Sequence, residues 1–146
     1  MEFLQTTLCY LEKDGAYLML HRIKKKNDVN HDKWVGACAL REVWEETGLT
    51  MRTPQYRGIV DFYCAPWPAE RMHLYTCTDF CGEMTDCDEG CLEWVDKAAV
   101  QDLPIWQGDK IFFQLLAENA PFFHLELTYN GDALKKAVLN GNALPV

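Results

Sequence analysis

Arg41-Glu42-Val43-Trp44-Glu45-Glu46-Thr47-Gly48-Leu49 is the stretch on which the fold turns. Glu42, Glu45 and Glu46 stand at i, i+3 and i+4, so a helix puts all three carboxylates on one face. Leu40, Val43, Trp44 and Thr47 recur at steps of three and four and predict a helix over Ala37–Thr47 with one apolar stripe for a sheet. Gly48 stands where a left-handed helix-ending residue belongs, with Leu49 available for the accompanying apolar contact. Like charges at these spacings weaken an isolated helix by about 0.2–0.5 kcal/mol per pair. Grouped carboxylate oxygens suit Mg²⁺ or Mn²⁺, completed by waters and substrate phosphates. A solvated acidic face, with Arg41 paired to Glu45, satisfies the same spacing.

Outward from this helix the pattern changes to strands. Thr6–Leu11 and Ala16–Arg22 are apolar and β-prone, and the Glu12-Lys13-Asp14-Gly15 between them reads as a hairpin turn. Asn27–Lys33 is polar and loop-like. Beyond Pro54, strands are expected at Tyr56–Tyr63, Met72–Phe80 and Leu92–Val95. Ala98–Asp102 suggests a helical turn, and Asp109–Glu118 a longer helix after Gly108. Phe122–Tyr129 alternates like a strand and runs into Asn130-Gly131, a second hairpin signal. Strands mixed with two helices predict an α+β or α/β sandwich rather than a bundle or a β-barrel.

A chain of 146 residues predicts one domain, residues 1–146. Apolar residues at 49%, with nine Gly and six Pro, exclude a disordered or collagen-like chain. No apolar run approaches the roughly 18 residues of a membrane span, and Met1-Glu2-Phe3-Leu4 has no basic segment before an apolar one. The expectation is a soluble cytoplasmic protein. Fourteen basic against 22 acidic side chains leave a net charge of −8, a field that repels a nucleic-acid polymer. A small polyanion can still bind if divalent cations mediate the contact. The basic run Arg22-Ile23-Lys24-Lys25-Lys26 reads either as a solvated strand end or as a phosphate-steering patch. Of seven cysteines, Cys77, Cys81, Cys87 and Cys91 cluster, but their C-x3-C pairs differ from the C-x2-C of most zinc ribbons, and free thiols are expected.

The run Arg41–Leu49 is similar to the second half of the Nudix box, G-x5-E-x7-R-E-U-x-E-E-x-G-U, and matches it at every specified position. Leu103-Pro104-Ile105-Trp106-Gln107-Gly108-Asp109, then Phe112, Phe113 and Phe123-His124, resembles the C-terminal part of the 8-oxo-dGTP diphosphatase (MutT-like) branch, as does Asp88-Glu89 ahead of Trp94. The resemblance implies a Nudix-type α/β/α sandwich with a mixed central sheet. It also implies Mg²⁺- or Mn²⁺-dependent hydrolysis of nucleoside triphosphates to monophosphate and pyrophosphate, with 8-oxo-dGTP as a candidate substrate. By position, Glu42, Glu45, Glu46 and Glu89 would hold metal, and Glu42, Glu45, Glu46 and Arg41 would form the catalytic set. Arg22, Trp106 and Asp109 would meet the nucleotide, the last two by stacking on and hydrogen-bonding a purine. Each has a plainer competitor: Trp106 as a core or lid residue, Asp109 as a favourable helix-start carboxylate, Glu89 as part of a solvated acidic loop. Phe112 and Phe113 are expected in the core.

The chain departs from the signature in its first half. Lys33-Trp34-Val35-Gly36 runs straight into Ala37-Cys38-Ala39-Leu40-Arg41, so the signature's glycine would fall on Asn27 and its glutamate on Lys33. In the family that glycine supplies a metal-binding carbonyl and that glutamate pairs with the arginine equivalent to Arg41. A shortened connection predicts weak metal binding, little or no catalysis, and a homodimer formed by helix exchange between protomers. Val35 replaces an Asn that reads the purine in 8-oxo-dGTP-specific relatives, and valine cannot make those hydrogen bonds. Three readings are open: a nucleoside triphosphate pyrophosphohydrolase, a Nudix hydrolase of another nucleoside diphosphate-linked compound, or an impaired Nudix module that binds nucleotide or a protein partner.

Overall fold

The computed structural model describes residues 3–22, 34–35, 48–82 and 90–146. The expected loop Asn27–Lys33, the expected helix Ala37–Thr47 and the acidic run Asp86–Glu89 lie outside the described residues, as does the basic run beyond Arg22. Eleven strands are described: β1 (Leu4–Lys13), β2 (Ala16–Arg22), β3 (Trp34–Val35), β4 (Leu49–Met51), β5 (Gln55–Ala65), β6 (Glu70–Cys77), β7 (Phe80–Gly82), β8 (Gly90–Asp96), β9 (Phe123–Asn130), β10 (Ala133–Leu139) and β11 (Asn142–Leu144). A 3₁₀ turn at Val100–Asp102 and one α-helix, α1 (Asp109–Ala117), accompany them.

The chain divides into two compact units. The first comprises residues 1–7, 56–74 and 106–146, the second residues 8–55 and 75–105, and β1, β5 and β6 contribute residues to both.

In the first unit the strand order is β11-β10-β9-β5-β6-β1. β5 and β9 run parallel, with Asp61 opposite Glu126 and Phe62 opposite Leu127, while β9–β10 and β10–β11 are antiparallel. The sheet is therefore mixed. Alternation along β9 buries Phe123, Leu125, Leu127 and Tyr129 and leaves His124, Glu126 and Thr128 partly exposed. Helix α1 buries Asp109, Phe112, Phe113 and Leu116, the i, i+3, i+4, i+7 stripe of an amphipathic helix. Phe112 and Phe113 are core residues, as expected. The helix ends in a Schellman motif: Asn119 adopts φ +51°, its N–H reaches the Leu116 carbonyl at 3.1 Å, and Ala120 N–H reaches that of Leu115 at 3.0 Å.

In the second unit β8 pairs with β2 over its whole length, while β1 near the turn and β3 further along share the other edge. The β1–β2 hairpin turns on Asp14 and Gly15, both at positive φ, as the Asp-Gly signal predicts. Cys9, Leu11, Leu18, Leu49 and Cys77 form the buried cluster, with Met51, Tyr75, Phe80, Leu92 and Trp94 against it. Gly48 has φ +78°, the left-handed conformation that favours glycine, and Leu49 after it is buried.

Two expectations need correction. The strand expected over Met72–Phe80 is two: β6 stops at Cys77, whose thiol donates to the Asp79 carbonyl at 3.2 Å, and the chain turns so that Phe80 starts β7 opposite Met51. The second hairpin turns one residue later than expected, because Asn130 still pairs with Ala133 and leaves Gly131-Asp132 as the loop. β10 and β11 lie beyond the expected elements. Their signal is Asn140-Gly141, both at positive φ, the same turn chemistry as Asp14-Gly15.

Candidate functional site

The residues singled out by sequence fall in two places. Arg41, Glu42, Glu45, Glu46 and Glu89 lie outside the described residues. The chain just after the acidic stretch is described: Leu49 pairs with Gly82, and β4 and β7 form a two-stranded sheet. Within the second unit Arg22 closes β2 directly opposite Gly90.

Trp106 and Asp109 belong to the first unit, on the turn that opens α1. Trp106 is 5% exposed. Its ring meets Phe62 edge-on at 5.0 Å between centroids and Tyr129 at 4.9 Å, and Phe62 and Tyr129 are themselves 5.0 Å apart. Each ring presents an edge or tilted face to the next, the geometry aromatic quadrupoles favour. Asp109 is the first residue of α1, with Gly108 as its N-cap, and its carboxylate sits where the helix dipole favours an anion. Its backbone N–H closes the turn onto the Trp106 carbonyl at 3.0 Å. Gly108 N–H donates to the Tyr129 hydroxyl at 2.7 Å in a buried position. Burial, then the nearby Asp109 charge, push the Tyr129 hydroxyl above its ordinary value, against the Gly108 hydrogen bond, which lowers it. The structure thus brings Trp106 and Asp109 together with Phe62, Gly108 and Tyr129, which sequence reading did not assign to the site. The alternation of β9 was legible, but which ring would meet Trp106 depends on the parallel β5–β9 register.

A polar cluster occupies the other face of β5 and β9. Asp61 is 1% exposed and receives Arg71 Nε on Oδ1 at 2.8 Å, Arg71 Nη2 on Oδ2 at 2.9 Å, and His124 Nε2 at 2.6 Å from Oδ2. Burial works to raise the Asp61 carboxyl, but the hydrogen bonds from Arg71 and then His124 outweigh it and hold it below the usual carboxylate value. The Arg71 guanidinium also lies 4.4 Å from the Phe3 ring centroid. Among the described residues Asp61, His124 and Glu126 bring one ligand atom each within 4.8 Å of one another. A cation there would have to displace a guanidinium already paired in both directions, so the donor set fits an ion-pair network better than a metal centre. Beside it Tyr63, Glu126, Thr128, Lys136 and Val138 line an open cavity of about 330 Å³. Residues 63 apart in sequence build the Asp61–His124 contact, and no local signal announces it.

Comparison with known proteins settles the family. The NUDIX domain model matches residues 6–116. The chain belongs to the Nudix family. It is 25% identical to the uncharacterized Nudix hydrolase YvcI of Bacillus subtilis (strain 168), over 88% of this chain and 89% of that protein. The crystal structure of the MutT protein from Bacillus halodurans superposes with a TM-score of 0.79 at 25% identity, covering 93% of this chain and 97% of that one. The NUDIX domain of Shewanella oneidensis NrtR, solved with ADP ribose, shares the fold at TM-score 0.64 and 13% identity, covering 82% and 89%. The mixed sheet is that of the Nudix α/β/α sandwich, and the chain is a pyrophosphohydrolase of the Nudix type with MutT-like neighbours. Nudix hydrolases generally use divalent metal cations. Among the described residues no helix is long and apolar enough to cross a membrane.

Proposed function

We propose that this Nudix domain, residues 1–146, hydrolyses nucleoside triphosphates to monophosphate and pyrophosphate in the cytoplasm, using Mg²⁺ or Mn²⁺, with 8-oxo-dGTP among the substrates to be tried. The observation that carries the reading is the match of Arg41–Leu49 to the second half of the box, inside the residues 6–116 that the NUDIX domain model matches. Glu42, Glu45, Glu46 and Glu89 are the proposed metal ligands, and Arg41 completes the catalytic set. A bound divalent cation would supply positive charge to the diphosphate and acidify the attacking water. Trp106 and Asp109 are the proposed base contacts, an aromatic face beside a hydrogen-bond acceptor, and Arg22 is the proposed basic residue near the nucleotide. With Trp106 only 5% exposed, a purine stacks on it only after a neighbouring side chain moves.

A second reading, an impaired Nudix module that binds nucleotide or a protein partner, is favoured by the junction Gly36-Ala37, where the first half of the box is missing. A third, hydrolysis of another nucleoside diphosphate-linked compound, is favoured by Val35 in place of the purine-reading Asn. One assay separates them. Nucleoside triphosphates, 8-oxo-dGTP and ADP ribose are incubated with Mg²⁺ or Mn²⁺ and the products resolved. The first reading expects monophosphate and pyrophosphate, lost in EDTA and reduced at least about 100-fold in Glu46→Gln, the scale of losing one electrostatic contributor to the transition state. Mn²⁺-dependent nucleotide binding without product supports the second reading, and turnover confined to ADP ribose the third. Neither binding nor turnover of any probe would sink all three.

A further inference from the structure

The turn carrying Trp106 and Asp109 is tied to the β9–β10 hairpin by two hydrogen bonds that come from one cross-strand pair. Tyr129 on β9 and Leu134 on β10 are directly opposite. The Tyr129 hydroxyl accepts from Gly108 N–H at 2.7 Å, and Leu134 N–H donates to Gln107 Oε1 at 3.3 Å. We propose that this hairpin is a clamp that positions Trp106 and Asp109 for base recognition, with Tyr129 acting as a positioning residue through its hydroxyl. The inference rests on the base-contact reading of Trp106 and Asp109.

Three features support the clamp. An N-cap N–H has no partner within its own helix, and here a phenol from a neighbouring strand takes it up. The turn also sits too close for anything but glycine: a Cβ on Gly108 would lie 2.4 Å from Leu127 Cδ1 and 2.7 Å from the Tyr129 oxygen. The same Tyr129 ring that holds Gly108 packs against Trp106, so the hydroxyl fixes the turn while the ring fixes the stacking residue. The hairpin lies beyond residue 116, where the family match ends, so an element outside the matched segment would set base preference inside it. The clamp holds the turn that carries the two proposed base contacts, so its effect belongs in the preference between bases.

The test compares the wild-type chain with Tyr129→Phe, Gln107→Ala and Trp106→Ala. Dissociation constants for dGTP and dCTP, each as its non-hydrolysable α,β-methylene analogue, are measured by calorimetry in Mn²⁺, with amide exchange at Gly108 followed by NMR in separate metal-free samples. Tyr129→Phe keeps the ring and removes only the hydroxyl. It should speed Gly108 exchange and weaken dGTP roughly three- to tenfold, the scale of one hydrogen bond, while leaving dCTP unchanged. Gln107→Ala should shift the ratio in the same direction by a smaller factor, and it carries the test if Tyr129→Phe does not fold. If Trp106→Ala lowers the affinity for dGTP relative to dCTP but neither clamp variant does, the clamp is overturned and the base-contact reading stands. If the wild type shows no preference, or Trp106→Ala leaves it unchanged, the base-contact reading fails and takes the recognition role with it. Unchanged Gly108 exchange in Tyr129→Phe would overturn the clamp on structural grounds alone.

Discussion

Asp61 shows how one buried charge is made tolerable. A carboxylate at 1% exposure is costly unless its oxygens are satisfied, and here Arg71 and His124 engage both. Arg71 and His124 are themselves 31% and 41% exposed, so the full cost of breaking a buried pair is reduced by solvent. Asp61→Asn is expected to cost about 1–3 kcal/mol, read from the urea midpoint. The sign of its pH dependence follows from the direction of the shift. The carboxyl is held below its ordinary value of about 3.9, so its contribution is present above that pH and is lost as pH falls through the lower folded value. The stability gap between wild type and Asp61→Asn should therefore be flat above about pH 5 and close in stronger acid. A gap that persists unchanged in acid would mean that the carboxylate's charge is not the source.

At the scale of elements, the C-terminal hairpins obey turn chemistry more than propensity. Gly141 sits at φ +85° with nothing within 4 Å of where a Cβ would be, so its substitution meets backbone strain and no clash. Gly141→Ala should destabilise by about 1 kcal/mol, through the left-handed conformation alone. Thermal midpoints should record the loss with the β9 core intact, and a loss several times larger would show that β11 carries more of the fold than its three residues suggest. The split of the expected Met72–Phe80 strand teaches the complementary lesson. The expected strand runs on through Thr78-Asp79, yet the chain leaves the line of β6 there and Phe80 pairs with Met51 in β7. Local pattern marks a residue as strand-like and does not say which strand it joins.

At the scale of the molecule, the short connection Gly36-Ala37 read from the sequence raises the question of assembly. If the acidic helix cannot reach its own sheet, exchange with a second copy satisfies both, and the chain should elute from size exclusion as a dimer of its 16.9 kDa protomer. Elution as a monomer alone would remove helix exchange and leave the shortened connection to be accommodated within one chain.

The family and its chemistry were legible because they live in short-range pattern. Gly48 with its positive φ, Leu49 in the core, and Asp14-Gly15 at a turn all depend on neighbours a few residues away. Ala16–Arg22, the 3₁₀ turn and α1 were legible in the same way. The placement of Asp61 against Arg71 and His124, and of Trp106 against Phe62 and Tyr129, was not legible. Arg71 reaches Asp61 from the neighbouring β6, but the His124 contact, and the meeting of Phe62 with Tyr129 beside Trp106, depend on the parallel register of β5 with β9, strands separated by dozens of residues, where a shift of one position would turn the facing side chains to the other face. Sequence alone determined what chemistry the chain carries; tertiary structure decided which rings and charges stand beside Trp106 and Asp61, because pairing between distant strands is set by the burial of whole faces.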